Sequence, residues 1–416
     1  MTNNIIRICF SSLLFFISIL MNGQFITPTQ IDFLNKNAIP ISLNNQSSNQ
    51  NWEKIGHNLK GKRLILLGEF NHGSREVFLL RNEMIKYLHE EHDFDVILFE
   101  AGLGELITIE MEKETLSSKQ MTYGFFSGWR TSEFRELMKY VKSEKISIAG
   151  FDVQRTGGSF SRNLSELSTI ANIDSIHYHH LEKEYGMLKK ELTYRKIKFS
   201  DSLQFNIEDL LHDYEILYAK ILDSSELLPF KKSWFTLKAI ENRVNYLKYM
   251  LQFKIDNDWN KRWAARDSSM ANNVEWLVNN IYRNKKIIIV GHNFHISKHN
   301  EKEEVMGEFL KRRFEKEMYA IGIFAQSGKY LDNYGRENEL IEPDNSNLDI
   351  KHIVKALGNE ISFIPILEKP IVGDEWMRKS IIINDTFIDL SNSNSLILSK
   401  NFDALFLLHN VSSPKK

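Results

Sequence analysis

Four ionisable residues recur at one kind of place in this chain. Glu69 closes the apolar run LILLGE, Glu100 closes DVILFE, Asp152 closes ISIAGFD, and His292 follows KIIIVG. His72 comes three residues after Glu69, beside Gly73, which allows a ligand to approach the backbone closely. His295 comes three residues after His292. Three imidazoles brought near several carboxylates would suit the activation of water, or would hold a metal ion. Arg81 adds a positive group. On a helix running from Arg75, the residues Val77, Leu80, Met84 and Leu88 form one apolar stripe, and Arg81 falls on it. A buried guanidinium needs carboxylate partners, and Glu69 and Glu100 are the natural ones. His89, His92, His177, His179, His180, His212 and His299 lack such a setting and read as surface residues.

The elements that must position these groups can be read from the apolar pattern. Short apolar runs at 63–69, 95–100, 146–152, 286–291 and 319–325 read as buried strands, with later candidates at 362–367 and 403–408. Helical patterns occupy 74–92, with Ser74 as N-cap, then 133–143 and 303–317. This alternation predicts an α/β fold, a mainly parallel sheet flanked by helices. In an open parallel sheet, ligands bind outside the carboxyl ends of the strands. Glu69, Glu100, Asp152 and His292 should therefore meet at one edge.

Between Gly158 and Gly291 the rhythm changes. That stretch holds one glycine, Gly186, and one proline, Pro229, among long segments rich in Lys, Glu and Leu. It reads as an inserted helical subdomain. The expected organisation is a signal peptide at 1–24, a polar lead-in with one short helix at 25–60, a first part of the α/β core at 61–157, the helical subdomain at 158–283, and a second part of the core at 284–416. Residues 328–347 are polar and read as a loop.

The totals narrow the choices. The chain has 416 residues, 42% hydrophobic and 26% charged, an ordinary globular composition. Its formal net charge of -1 offers no argument for nucleic acid or an acidic surface as partner. Arg7 precedes an apolar run from Ile8 to Met21, followed by Asn22, Gly23 and Gln24. The run is short for a membrane span and has the size of a signal-peptide core. The expectation is a periplasmic or secreted protein with no stable membrane association after cleavage. The one cysteine, Cys9, lies in this segment. The mature chain would then lack disulfides, thiolate ligands and a cysteine nucleophile. No G-x-S-x-G elbow, G-x-x-x-x-G-K-[ST] loop, G-x-G-x-x-G fingerprint or H-E-x-x-H pair occurs, which removes the main support for serine-hydrolase, P-loop, dinucleotide and zincin readings.

Four blocks occur in order: LGEFNHGSREVFLLRNEMIKYLHEEHDFDVILFEAG, GWRTSEFRELMKYV leading to AGFD, RDSSMANNVEWL, and IIIVGHNFHISK. Together they resemble the erythromycin esterase family. The matching blocks span Leu64 to Lys298 and the last strand candidates fit loosely; Asn71 departs from the family's usual Thr before the histidine. The resemblance implies an α/β core with a helical subdomain. It also implies hydrolysis of a macrolide lactone, a small-molecule ester, without metal or other cofactor. In that reading His72 is the general base, and Glu69 and Glu100 orient it and the water. Arg81 holds these carboxylates or faces developing negative charge. His292 and His295 complete the pocket, one of them donating a proton to the leaving alkoxide. His295, Asn71, Trp129, Asp152 and Arg266 are assigned to substrate binding, with Arg266 and Asp267 serving equally well as a supporting ion pair. Two other readings use the same edge. One is a metallohydrolase with ligands drawn from His72, His292, His295, Glu69, Glu100 and Asp152, which Arg81 argues against by repelling a cation. The other is a secreted haem- or metal-binding protein in which Phe125, Phe126 and Trp129 stack on the ligand.

Overall fold

The computed structural model describes residues 26–43, 49–164, 175–193, 198–227, 230–343, 347–383 and 395–416. The expected signal peptide at 1–24 lies outside the described residues. The strands are β1 (Ile39–Ile41), β2 (Leu64–Leu67), β3 (Phe94–Gly102), β4 (Ser147–Asp152), β5 (Lys286–Val290), β6 (Met318–Leu331), β7 (Glu337–Glu339), β8 (Ile361–Pro365), β9 (Ile381–Ile382), β10 (Ser395–Leu396) and β11 (Ala404–Val411). Nine of them form one sheet in the order β1-β8-β11-β6-β2-β5-β3-β4, with β7 paired to β6. From β11 to β4 the neighbours are all parallel, while β8, β1 and β7 pair antiparallel. The fold is therefore the expected α/β one.

The apolar runs are continuous because the sheet is covered on both faces. Leu64, Leu66, Val96, Leu98, Ile287 and Ile289 face one core, and Ile65, Leu67, Ile97, Phe99, Ile288 and Val290 face the other. Helices Asn49–Asn58, Arg75–His92 and Ser132–Ser143 cover the second face. Helices Trp259–Trp276 and Met306–Phe314 cover the first. Between β4 and β5 the described elements are all helical, including Ser175–Thr193, Asp201–Asp223 and Phe230–Asp256.

Two polar stretches hold more structure than their composition suggests. Residues 25–60 supply two helices and β1. Thr27 and Gln30 cap the first of these helices reciprocally, with Pro28 opening it. β1 tolerates Pro40 because it is an edge strand. The expected loop at 328–347 instead folds β7 back onto the long β6.

One side chain completes the ladder where β2 stops. The Gly68 N–H still donates to the Ile321 carbonyl at 2.9 Å. Beyond it, the Asn293 amide donates to Ile323 O at 2.7 Å and accepts from Ile323 N at 3.1 Å. The Asn293 backbone N–H in turn holds the Glu69 carbonyl at 2.8 Å. A Cβ at Gly68 would lie 2.0 Å from Asn293 Oδ1, so only glycine fits there. The chain after Glu69 can thus leave the sheet while β6 stays paired.

The residues after β11 close the second face. Ser412 O accepts from Arg75 N, Ser412 N and Oγ donate to the Glu76 carboxylate, and Lys415 O accepts from Ser132 N. They satisfy the first turns of helices Arg75–His92 and Ser132–Ser143. Ser74 occupies the N-cap of the first without capping it, and its hydroxyl donates to Asn71 Oδ1 at 2.9 Å.

Candidate active site

Strands β2, β5, β3 and β4 are neighbours, so Glu69, His292, Glu100 and Asp152 lie side by side at their carboxyl ends. Two clusters build up from this edge. In the first, His72 Nδ1 lies 2.6 Å from Glu69 Oε1, and Arg81 Nη1 lies 2.8 Å from Glu69 Oε2. Glu69 therefore accepts the His72 Nδ1–H on one oxygen and faces a guanidinium with the other. Glu69 and Arg81 are buried, while the His72 side chain keeps 11% of its surface accessible. The Arg81 guanidinium lies 4.9 Å from the Trp129 ring centroid and 5.1 Å from that of Phe78. Burial lowers the Arg81 pKa, with Glu69 and Glu100 opposing the shift. Phe126 packs edge-on against His72 with ring centroids 4.6 Å apart. Trp129 is fully buried, stacked on Phe125 beneath Arg81. It is a wall of this cluster rather than an exposed stacking surface.

The second cluster centres on Arg266, from helix Trp259–Trp276. Its guanidinium reaches Asp152 Oδ2 at 2.7 Å, Glu100 Oε1 at 3.0 Å and His295 Nε2 at 3.0 Å. His295 Nδ1 lies 2.8 Å from Asp267 Oδ1, which also accepts the Met306 N–H at 2.8 Å. Burial works against a charge on His295, but the Asp267 and Glu100 carboxylates outweigh it and raise its pKa. Burial likewise raises the Glu100 pKa, yet His295, Arg266, His72 and the His292 backbone N–H bring it down to about 2. Glu100 stays ionised and sits electrostatically between the two clusters.

His292 is held differently. Its Nε2 faces Phe70 O at 3.0 Å, and its Nδ1 accepts the Phe294 N–H at 3.1 Å. A nitrogen that accepts an N–H is bare, and one that faces a carbonyl carries hydrogen, so the ring is the neutral Nε2–H tautomer. Burial, with His72, His295 and Arg266 nearby, pushes its pKa well below the ordinary value. Such a ring shapes the loop and is poorly suited to donate a proton. Asn71 also turns inward: its Oδ1 accepts from Gly73 N and Ser74 Oγ.

The structure thus brings together Glu69, His72, Arg81, Glu100, Asp152, Arg266, His292 and His295. Sequence reading did not assign Asp267 as the orienting partner of His295, nor give Asn293 any role. The signal for Asn293 was its place inside GHNFH, directly after a strand.

A sequence profile of the erythromycin esterase family matches residues 89–411. The chain belongs to that family. Family membership places it among hydrolases. The Bacillus subtilis protein YbfO, provisionally named a hydrolase, is 27% identical over 385 residues, covering 83% of each chain. The type II erythromycin esterase of Escherichia coli is 24% identical over 320 residues, covering 70% of this chain and 75% of that one. A structural-genomics crystal structure from Bacillus cereus superposes with a TM-score of 0.72 at 18% identity, covering 93% of this chain and 98% of that one. A mutant erythromycin esterase solved in its open conformation gives a TM-score of 0.60 at 19% identity, covering 88% and 95%. These two structural matches share the fold with this member of the erythromycin esterase family.

Proposed function

We propose that this chain hydrolyses a carboxylic ester, with a macrolide lactone as the first substrate to test, by means of a water that His72 deprotonates. The observation that carries the reading is the Glu69–His72 contact of 2.6 Å backed by Arg81 at 2.8 Å, in the more accessible of the two clusters at the sheet edge. Glu69 holds the Nδ1–H, so the other ring nitrogen serves as the base. His72 takes a proton from water as the water oxygen bonds to the ester carbonyl carbon. The carbonyl pair moves to oxygen, and Arg81 stabilises that negative charge through the field of the cluster. The intermediate collapses by breaking the C–O bond, and the protonated His72 ring returns its proton to the leaving alkoxide, which restores the base. His295, with Nδ1 on Asp267 and Nε2 facing the Arg266 guanidinium, holds the neighbouring wall of the pocket. The product is a hydroxy acid heavier than the substrate by one water. General base catalysis of this kind contributes roughly 10²–10⁴-fold.

The donor set favours chemistry without a metal. Glu69 already holds Arg81, and Glu100 and Asp152 already hold Arg266. A cation at the edge would have to displace a guanidinium. The proposal also sets the enzyme outside the cytoplasm, a point that rests on the sequence of 1–24 alone.

The test is mass spectrometry of 14-, 15- and 16-membered macrolides incubated with the purified protein, with and without chelator. The expected product gains one water, is absent with His72→Ala and is indifferent to chelator. Full activity of His72→Ala would remove the base from the mechanism. Activity lost on chelation and restored by zinc would turn the reading to a metallohydrolase.

A further inference from the structure

Behind Arg266, the helical region between β4 and β5 holds three tyrosines in contact. Tyr185 lies on helix Ser175–Thr193, and Tyr246 and Tyr249 lie on helix Phe230–Asp256. The rings of Tyr185 and Tyr246 are 5.7 Å apart, and those of Tyr246 and Tyr249 are 5.3 Å apart. Tyr185 and Tyr246 are 0% exposed. All three hydroxyls are buried, and none has a hydrogen-bond partner among the described residues. A buried phenol ordinarily finds a partner, because leaving the hydroxyl unmatched forfeits its hydration. The fourth tyrosine nearby, Tyr214, follows that rule by donating to Glu182 at 2.8 Å.

Tyr246 and Tyr249 belong to the helix that packs against the one carrying Arg266, and Tyr185 joins them through its ring contact with Tyr246. Helix Phe230–Asp256 packs against helix Trp259–Trp276, and Arg262 Nε on the latter donates to Met250 Sδ at 3.3 Å on the former. The charges of Asp152, Arg262 and Arg266 all act on the phenols of Tyr246 and Tyr249. Arg266 is the same residue that touches Asp152, Glu100 and His295.

We propose that Tyr185, Tyr246 and Tyr249 form a polar subsite for the part of the substrate remote from the ester, and that it takes an uncharged, oxygen-rich group bearing hydroxyl or carbonyl oxygens. Each phenol offers one donor and an acceptor, which matches such oxygens. An anion finds Arg266 already neutralised by Asp152 and Glu100 and would face both carboxylates. A cation would meet Arg262 and Arg266. The subsite rests on the reading of the neighbouring edge as the reacting end of the pocket.

The experiment uses Tyr246→Phe, Tyr249→Phe and the double variant, which keep the rings and remove only the oxygens. Erythromycin binding is measured by calorimetry in the His72→Ala background, where turnover cannot interfere. Thermal midpoints are recorded, and kcat/KM for p-nitrophenyl acetate is compared with that for the macrolide. The expected result is erythromycin binding weaker by about tenfold per hydroxyl removed. The ratio of macrolide to acetate kcat/KM should fall by the same factor, and thermal midpoints should hold or rise. Unchanged macrolide affinity with a raised midpoint would overturn the subsite, since the hydroxyls would then be enclosing water only. Equal losses on both esters would overturn it as well, as a structural effect. No macrolide binding to either background, with the acetate still cleaved, would sink the subsite and leave the hydrolase reading standing. Macrolide bound but not cleaved, with affinity falling in the Phe variants, would keep the subsite and remove the proposed substrate.

Discussion

The two imidazole clusters at the sheet edge use the same three ingredients to different ends. Glu69, His72 and Arg81 make one set, and Glu100, Asp152, Asp267, Arg266 and His295 make the other. In the first, one nitrogen of the ring is tied to a carboxylate and the side chain retains 11% exposure. In the second, both nitrogens have partners and the side chain is 2% exposed. A carboxylate and a guanidinium beside a histidine do not by themselves make a reactive group. What separates the sets is how far the ring is exposed at the edge, where a substrate would meet it. Glu100 joins them, with contacts to Arg266 and the His292 N–H and a charge felt by His72.

The largest expected difference is in rate. His72→Ala should lower kcat by roughly 10²–10⁴-fold and leave the thermal midpoint nearly unchanged. His295→Ala should do the reverse in emphasis, costing stability before rate. Equal rate losses from both, with both proteins stable, would mean the two sets act as one machine. Next comes stability. Arg266→Ala strands Glu100 and Asp152 without their cation and should destabilise by roughly 3–5 kcal/mol in denaturant titration. Arg81→Ala leaves Glu69 with His72 as a partner, so its cost in the same titration should be smaller; a larger cost would reverse the assignment of structural and reactive sets.

A third contrast is in pH. The Glu100 pKa is lowered from its ordinary 4.5 to about 2. Its contribution to stability is therefore complete above 4.5 and fades as pH falls from there through about 2. His295 has the opposite sign. Its pKa is raised, so its contribution is present below the ordinary histidine range and fades as pH rises through the folded value. Unfolding midpoints followed by circular dichroism should decline on the acid side in the Glu100 window, and a profile flat down to pH 2 would contradict the Arg266 cluster. The smallest expected effect is Asn71→Ala. It removes two hydrogen bonds inside the loop and should cost about 1 kcal/mol.

How far each set was legible follows from chain distance. Glu69, His72 and Arg81 lie in one strand–loop–helix unit, so apolar periodicity alone places Arg81 on a buried stripe and offers Glu69 and Glu100 as its partners. The structure pairs it with Glu69, while Glu100 goes to Arg266. The second set draws on β3, β4, helix Trp259–Trp276 and the loop after β5, with Asp152 and Arg266 separated by 114 positions. Local pattern put Asp152 and Glu100 at the right edge through strand polarity, but it could not say which guanidinium would reach them. The strands were readable because each is buried on both faces and so apolar throughout. β1 and β7 were not, because edge strands need no apolar run. Glu76 is held by Ser412, a partner 336 positions away that no helical period could reveal.

That last contact bears on how the site is assembled. The helix that carries Arg81 is synthesised early, yet the groups that satisfy its first turn follow β11 and emerge from the ribosome more than three hundred residues later. Closing a contact across more than three hundred residues is slow, because the entropy of the intervening chain is lost before the contact repays it. A nascent chain can therefore carry the Glu69, His72 and Arg81 residues long before that helix is anchored. The acquisition of activity should coincide with docking of β11 and the residues after it, late in folding.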